Sequence, residues 1–98
     1  MSASVEVEVV NPSGIHARPA AAFFKEIRKF NSSISVENLT KGTAPVDARR
    51  SFIEVIAKLS AAQGHRIRIT ATGDDEAAAA QALGALVESG LGEGRPTA

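Results

Sequence analysis

At 98 residues the chain is long enough for one small domain with a single core and too short for two. Its 11 basic and 11 acidic residues give no net charge, which argues against a general nucleic-acid-binding protein, and the absence of cysteine excludes disulfides and thiolate zinc sites. No signal peptide or membrane-spanning segment is recognisable. We therefore expect a cytoplasmic protein that has no membrane contact, cofactor or bound metal.

The first third of the chain predicts a strand followed by a helix. Valine and glutamate alternate between Ser4 and Val10, which is the pattern of a strand with one solvent-exposed face. From Ala17 to Phe30 the apolar residues recur at helical spacing. Pro19 is tolerated only near a helix start, where its missing N–H has no intrahelical partner, so the helix must begin close to His16.

A hairpin is predicted next. Apolar residues alternate with polar ones around Ile34 and Val36, which predicts a second strand. A turn at Lys41 and Gly42 leads to a short third strand from Ala44 to Asp47. Pro45 favours the edge of the sheet for that strand, because proline cannot donate to a neighbouring strand.

The second half predicts a helix over Ser51–Leu59, a strand over His65–Thr72 and a third helix that opens with acidic residues and ends at Gly90. No periodic pattern follows, so we expect Leu91 and the residues beyond it to form a mobile tail. The order is βαββαβα. Strands with one apolar face predict an α+β fold, in which a four-stranded antiparallel sheet is covered by three helices on one side.

The segment from Asn11 to Ala20 carries the chemistry, because it places a histidine and an arginine at a helix start. Free N–H groups and the positive end of the helix dipole bind anions there. The imidazole of His16 is a competent nucleophile near neutral pH, and the guanidinium of Arg18 can hold two phosphate oxygens. These residues predict a phosphoryl-accepting histidine, with an anion-binding site lacking covalent transfer as the alternative. No role is assigned to His65.

The sequence GIHARPA, residues 14–20, resembles the active-site signature of HPr-like phosphocarrier domains. The likeness runs from about Val5 to Glu93, so residues 1–93 are expected to form the domain and 94–98 a flexible tail. It implies the family's open-faced β-sandwich and a phosphoryl carrier rather than an enzyme with turnover. We expect a monomer, because partners must reach His16. By resemblance, His16 accepts phosphate at Nδ1 from enzyme I, which phosphoenolpyruvate charges, and passes it to IIA proteins. Arg18 stabilises that phosphate, and Ser13 and Ala17 contribute to binding it.

The resemblance also implies a docking surface for enzyme I and the IIA proteins. Basic positions match at Lys25 and Arg28, although the sequence alone favours a solvated helix face as their explanation. Apolar positions match at Phe52, Ile53 and Ile56. Some of these three must instead fill the core, because a helix of this length buries one stripe.

Ser51 matches a position that a dedicated kinase, HPr kinase/phosphorylase, modifies in many family members. The alternative is an ordinary helix N-cap, the commonest role of serine at such a position. The surrounding residues depart from the family pattern, since Glu54 stands where a glycine is usual. Regulation at Ser51 is thus the weaker of the two interpretations.

Two other functions are compatible with this fold class. A regulatory binding protein of the same fold would be switched at serine, but relatives of that kind lack the active histidine. An RNA-binding or ligand-binding domain would expose aromatic residues on the sheet for stacking. Tyrosine and tryptophan are absent, and the four phenylalanines lie on the predicted helices. HPr-like domains serve sugar uptake, nitrogen regulation or dihydroxyacetone phosphorylation, and the sequence does not distinguish among these three roles.

Overall fold

The computed structural model describes residues 2–50 and 52–93. Ser51 and the predicted tail 94–98 lie outside the described residues. In chain order the elements are β1 (Ala3–Glu8), α1 (Ala17–Ile27), β2 (Ser33–Asn38), β3 (Val46–Asp47), α2 (Phe52–Leu59), β4 (Arg66–Thr72) and α3 (Glu76–Glu88). The predicted order is confirmed, and the predicted ends differ from the observed ones by three residues or fewer.

The four strands form one antiparallel sheet in the order β1-β4-β2-β3. The register aligns Val5 and Val36 with Ile69, on the face that the helices cover. The alternate row aligns Glu6 and Glu37 with Arg68 on the open face, where Arg68 forms ion pairs at 3.1 and 3.3 Å. The α+β architecture predicted from alternation is therefore confirmed, and β3, which follows Pro45, lies at an edge as predicted.

Helix α1 ends three residues before its apolar pattern does. Ala20, Phe23, Phe24 and Ile27 are buried as predicted, but Phe30 lies beyond the helix and is half-buried. A distant side chain binds this end of the helix: the guanidinium of Arg49 donates to the carbonyls of Ile27, Phe30 and Ser32. It thereby satisfies carbonyl groups that a helix end leaves without partners.

The prediction of a mobile tail from Leu91 is wrong for Leu91–Glu93. Gly90 adopts a φ of +97°, which turns the chain back on itself, and the Leu91 side chain is 1% exposed within the core. The Glu93 side chain then reaches the loop before α1. Periodicity missed this segment because a single buried leucine after a glycine turn has no pattern. The domain boundary at Glu93 stays a prediction.

His65, to which no role is assigned from the sequence, supports the fold. Its Nδ1 lies 3.0 Å from Asn38 Nδ2 and 3.1 Å from the N–H of Ala62. Both neighbours are donors, so Nδ1 accepts and the ring proton is on Nε2. Asn38, which is fully buried, also donates to the Leu59 carbonyl. His65 is therefore a structural residue that ties α2, β2 and β4 together.

Asp75 does more than complement the dipole of α3. Its carboxylate accepts hydrogen bonds from the N–H groups of Asn31 and Ser32, at 2.8 and 3.0 Å, and from the Ser32 hydroxyl. The Ser32 hydroxyl and the two N–H groups hold the pKa of Asp75 below its ordinary value of 3.8. Asp75 thus joins the start of α3 to the loop between α1 and β2.

Asp75→Asn is expected to lower the free energy of unfolding at neutral pH. A depressed carboxyl pKa stabilises the fold above the unfolded value, and this contribution disappears as pH falls through the folded value. The difference between Asp75→Asn and the wild type should therefore shrink below about pH 4. Urea unfolding between neutral and acid pH measures it. The control is Asp74→Asn, at the exposed neighbouring position, which should leave the pH dependence of stability unchanged. Equal stability of Asp75→Asn and the wild type at every pH would contradict the stabilising role of the Asp75 carboxylate.

Candidate functional site

The loop that precedes α1 is held by its own backbone and by one buried side chain. Asn11 is fully buried, and its carbonyl accepts from Gly14 N–H at 3.1 Å while its Nδ2 donates to the Gly14 carbonyl at 2.8 Å. Ile15 is buried and donates through its N–H to the Ala61 carbonyl at 3.0 Å. The loop is thus fixed to the segment after α2, and it delivers His16 to the helix start.

His16 occupies the N-cap position of α1, close to where Pro19 predicts the start. Its backbone is extended, with φ −139° and ψ 160°, and its carbonyl accepts the first helical hydrogen bond, from Ala20. The half-exposed ring places Nδ1 3.1 Å from the Ser13 carbonyl. A carbonyl only accepts, so Nδ1 carries the proton in this arrangement and Nε2 holds the lone pair.

The residues that follow His16 face solvent. Ala17 has a φ of +50°, a left-handed conformation that costs a non-glycine residue about 1–2 kcal/mol. Arg18 is exposed and, within residues 2–50 and 52–93, forms no hydrogen bond or ion pair. It lines a shallow hollow together with Glu93. His16 and Arg18 therefore share one exposed helix end, as expected, without a direct contact.

Glu93 is the site residue that sequence reasoning missed. Its carboxylate accepts hydrogen bonds from the Ser13 N–H at 2.8 Å, the Ser13 hydroxyl at 2.6 Å and Asn11 Nδ2 at 3.1 Å. The Ser13 hydroxyl contributes most to a pKa of Glu93 below its ordinary value of 4.5, followed by the Ser13 N–H and Asn11. Ser13 and Glu93 are 80 positions apart, so no local pattern signals the contact.

The predicted docking residues Lys25 and Arg28 lie at the C-terminal end of α1, along a hollow that extends to Ala17 at its start. Lys25 and Arg28 are exposed, and they line a mostly apolar hollow that Ile56 and Ala17 also border. Ile53 is 67% exposed, and it is the single large apolar residue so exposed among those the structure describes. The side chain of Phe52 is not among the parts of the chain that the structure describes. The fold therefore brings the basic side chains of α1 and Ile56 of α2 around one hollow, which extends to Ala17, the residue after His16.

Comparison with known proteins identifies the family. A family model described as PTS-HPr, "PTS HPr component phosphorylation site", matches residues 3–89. The chain belongs to the HPr family. The matched stretch runs from β1 through α3 and contains His16. The resemblance inferred from GIHARPA is confirmed.

Relatives of this HPr-family chain include carriers and longer proteins. It is 44% identical over 91 residues to the multiphosphoryl transfer protein of Salmonella typhimurium. The aligned residues make up 93% of this chain and 24% of that protein. It is 38% identical over 84 residues to phosphocarrier protein HPr of Haemophilus influenzae, covering 86% and 93%. Among solved structures, HPr-C-His from Thermoanaerobacter tengcongensis has a TM-score of 0.81 and 41% identity, covering 93% and 97%.

The multiphosphoryl transfer proteins are much longer than this chain. It spans between 17% and 24% of the length of those from Haemophilus influenzae and Salmonella typhimurium. No helix in the described ranges is long and apolar enough to cross a membrane. Within those same ranges, no group of three or more histidine, aspartate or glutamate side chains is arranged to hold a metal ion.

Proposed function

We propose that this chain is a phosphoryl carrier of the phosphotransferase system, in which His16 accepts a phosphoryl group from enzyme I and delivers it to IIA proteins. The observation that carries the proposal is a half-exposed imidazole at the N-terminus of α1, close in sequence to an exposed arginine that has no hydrogen bond or ion pair in the described part of the chain. Membership of the HPr family supports it. The chain acts as a stoichiometric relay, because one covalent bond is made and later broken on the same side chain.

The transfer needs a free lone pair on the ring nitrogen that attacks phosphorus. As that nitrogen bonds to phosphorus, the bond between phosphorus and the donor breaks and its electron pair leaves with the donor. Attack by Nδ1, as the family resemblance implies, requires the proton to reside on Nε2. The ring must then turn away from the Ser13 carbonyl, because two acceptors repel at 3.1 Å. A modest rotation of a half-exposed ring meets this requirement.

The charge of the transferred group is stabilised by groups at the same helix end. The N–H groups of Ala17 and Arg18, in the first turn of α1, have no partner within the helix and are available to bind an anion, and the helix dipole adds to their effect. Arg18 supplies a guanidinium that can bind two phosphate oxygens at once. Such positioning and charge stabilisation account for most of the catalysis of phosphoryl transfer, and the donor protein supplies the rest.

Enzyme I and the IIA proteins dock, in this proposal, on the surface formed by Lys25, Arg28, Ile53 and Ile56. Ile53 is exposed, and Ile56 on the same helix borders an apolar hollow; exposed apolar surface of this kind marks protein-binding sites. The two cations give that surface a positive rim, which favours acidic partners. A monomer in the cytoplasm is part of the proposal, since a partner must reach His16 directly.

The test is incubation of the chain with enzyme I and phosphoenolpyruvate, followed by intact mass spectrometry. We expect a mass gain of one phosphoryl group that is lost in acid, because an N–P bond hydrolyses in acid and a serine phosphate does not. A ¹⁵N–³¹P coupling on labelled protein identifies which ring nitrogen carries phosphorus. No gain with an enzyme I that labels a known HPr would reject the proposal.

A further inference from the structure

Ser13, whose carbonyl lies 3.1 Å from His16 Nδ1, has two donors, its N–H and its hydroxyl, and both are occupied. The residue accepts from the His16 ring through its carbonyl, while its N–H and hydroxyl donate to the Glu93 carboxylate. The distances of 2.8 and 2.6 Å are those of hydrogen bonds to a charged acceptor. An anion of the protein itself therefore fills the position expected to help bind the phosphoryl group.

The buried amide of Asn11 fixes the carboxylate in that position. Its Nδ2 donates both to Glu93 and to the Gly14 carbonyl, while its Oδ1 is buried and has no partner among residues 2–50 and 52–93. The opposite orientation of the amide would set Oδ1 against two acceptors, so the observed one is required. The two hydrogen bonds of Nδ2 therefore join the Glu93 carboxylate to the loop before α1.

We propose that Glu93 is a positioning residue that occupies the donors of Ser13 while His16 is unphosphorylated, and that it raises the free energy of the phosphorylated state by competing with the phosphoryl group for those donors. This inference rests on the proposed function. A phosphoryl group carries nearly two negative charges at neutral pH. Once the phosphoryl group is on His16, the Glu93 carboxylate either releases the donors of Ser13 or remains close to a group of the same charge.

Competition of this kind suits a carrier, because a less stable phosphohistidine passes its phosphoryl group on more readily. Glu93 acts through Ser13 and touches no reacting atom, so it affects how the phosphoryl group is held rather than how the bond forms. Glutamine at position 93 keeps the size and one acceptor but removes the charge. It should therefore stabilise the phosphorylated state with little change in the fold.

The experiment measures how long phosphohistidine survives in Glu93→Gln. The full chain is phosphorylated with enzyme I and phosphoenolpyruvate, separated from enzyme I, and followed by intact mass at neutral pH. Loss of the phosphoryl group should be about five- to tenfold slower than in the wild type, the effect expected for removing one nearby charge. The control is Glu88→Gln, which neutralises an exposed carboxylate at the end of α3. Its phosphohistidine should be lost at the same rate as that of the wild type.

A second readout separates this role from a structural one. In the unphosphorylated wild type, the Ser13 amide resonance should shift as the Glu93 carboxyl is protonated, at a pH below the ordinary range for glutamate. This pH-dependent shift should be absent in Glu93→Gln. Phosphorylation of His16 should shift the Ser13 amide away from its carboxylate-bound position. Equal decay in Glu93→Gln and the wild type, or faster decay in the variant, would overturn the inference alone. A wild type that takes no label rejects the proposed function, and the inference falls with it.

Discussion

His16→Ala is expected to abolish labelling by enzyme I and phosphoenolpyruvate completely. The variant lacks the ring nitrogen that bonds to phosphorus, and the remaining groups at the helix start can bind an anion but cannot carry it covalently. The His16 side chain makes no capping hydrogen bond to α1, so the free energy of unfolding should change by no more than about 0.5 kcal/mol. Loss of labelling can then be separated from loss of structure by circular dichroism and urea unfolding.

The matched control is His65→Ala, which removes the other histidine of the chain. It should be labelled as fully as the wild type, although it loses two hydrogen bonds and about 1–2 kcal/mol of stability. The opposite pattern, with labelling lost in His65→Ala and kept in a folded His16→Ala, would contradict the assignment of His16. Retention of label in both variants would place the modification on another residue.

Gly14→Ala is expected to destabilise the fold more than any other single methyl addition in the loop before α1. A Cβ at this position would lie 2.3 Å from the Ala61 carbonyl oxygen and 2.9 Å from the Ala62 Cα, both of which are backbone atoms. The φ of +66° adds the strain of a left-handed alanine. Together these effects should cost about 3 kcal/mol, which lowers the melting temperature by roughly 12–24 °C in a domain of this size.

Gly42→Ala separates the two causes. Gly42 has a similar φ of +71°, but a Cβ there would meet nothing within 4 Å. The variant should therefore lose only about 1 kcal/mol, the cost of the left-handed conformation. Equal losses in Gly14→Ala and Gly42→Ala, measured by thermal and urea unfolding, would show that the close approach to Ala61 has no energetic consequence. Labelling of Gly14→Ala should also fall, because the displaced loop carries His16.

The period of apolar residues determined the elements and their order. A strand buries one face and a helix buries one stripe, so local spacing is sufficient to recognise β1, α1 and β4. The helix start near His16 follows equally from the covalent structure of Pro19, which removes an N–H. For the same reason the edge position of β3 could be predicted from Pro45, since this restriction acts on the residue itself and needs no knowledge of its neighbours.

Some residues of the candidate site could also be predicted from local sequence, and others could not. His16 and Arg18 stand two positions apart, and a helix start places both at one exposed end, so their chemistry can be predicted from the sequence. Glu93 could not be, because its contact with Ser13 depends on the turn at Gly90 and the burial of Leu91. Asp75 and Arg49 also bind backbone groups of other elements rather than their own.

The sequence by itself therefore determined the fold class and the helix that carries His16, and it predicted His16 as the nucleophile. These depend on spacing, residue type and proline geometry, which are local properties of the chain. Only the tertiary structure decided that Glu93 occupies the donors of Ser13, and that Gly14 lies against the backbone of Ala61. Hydrogen bonds and close approaches between residues far apart in sequence depend on how the elements pack, and packing leaves no period in the sequence.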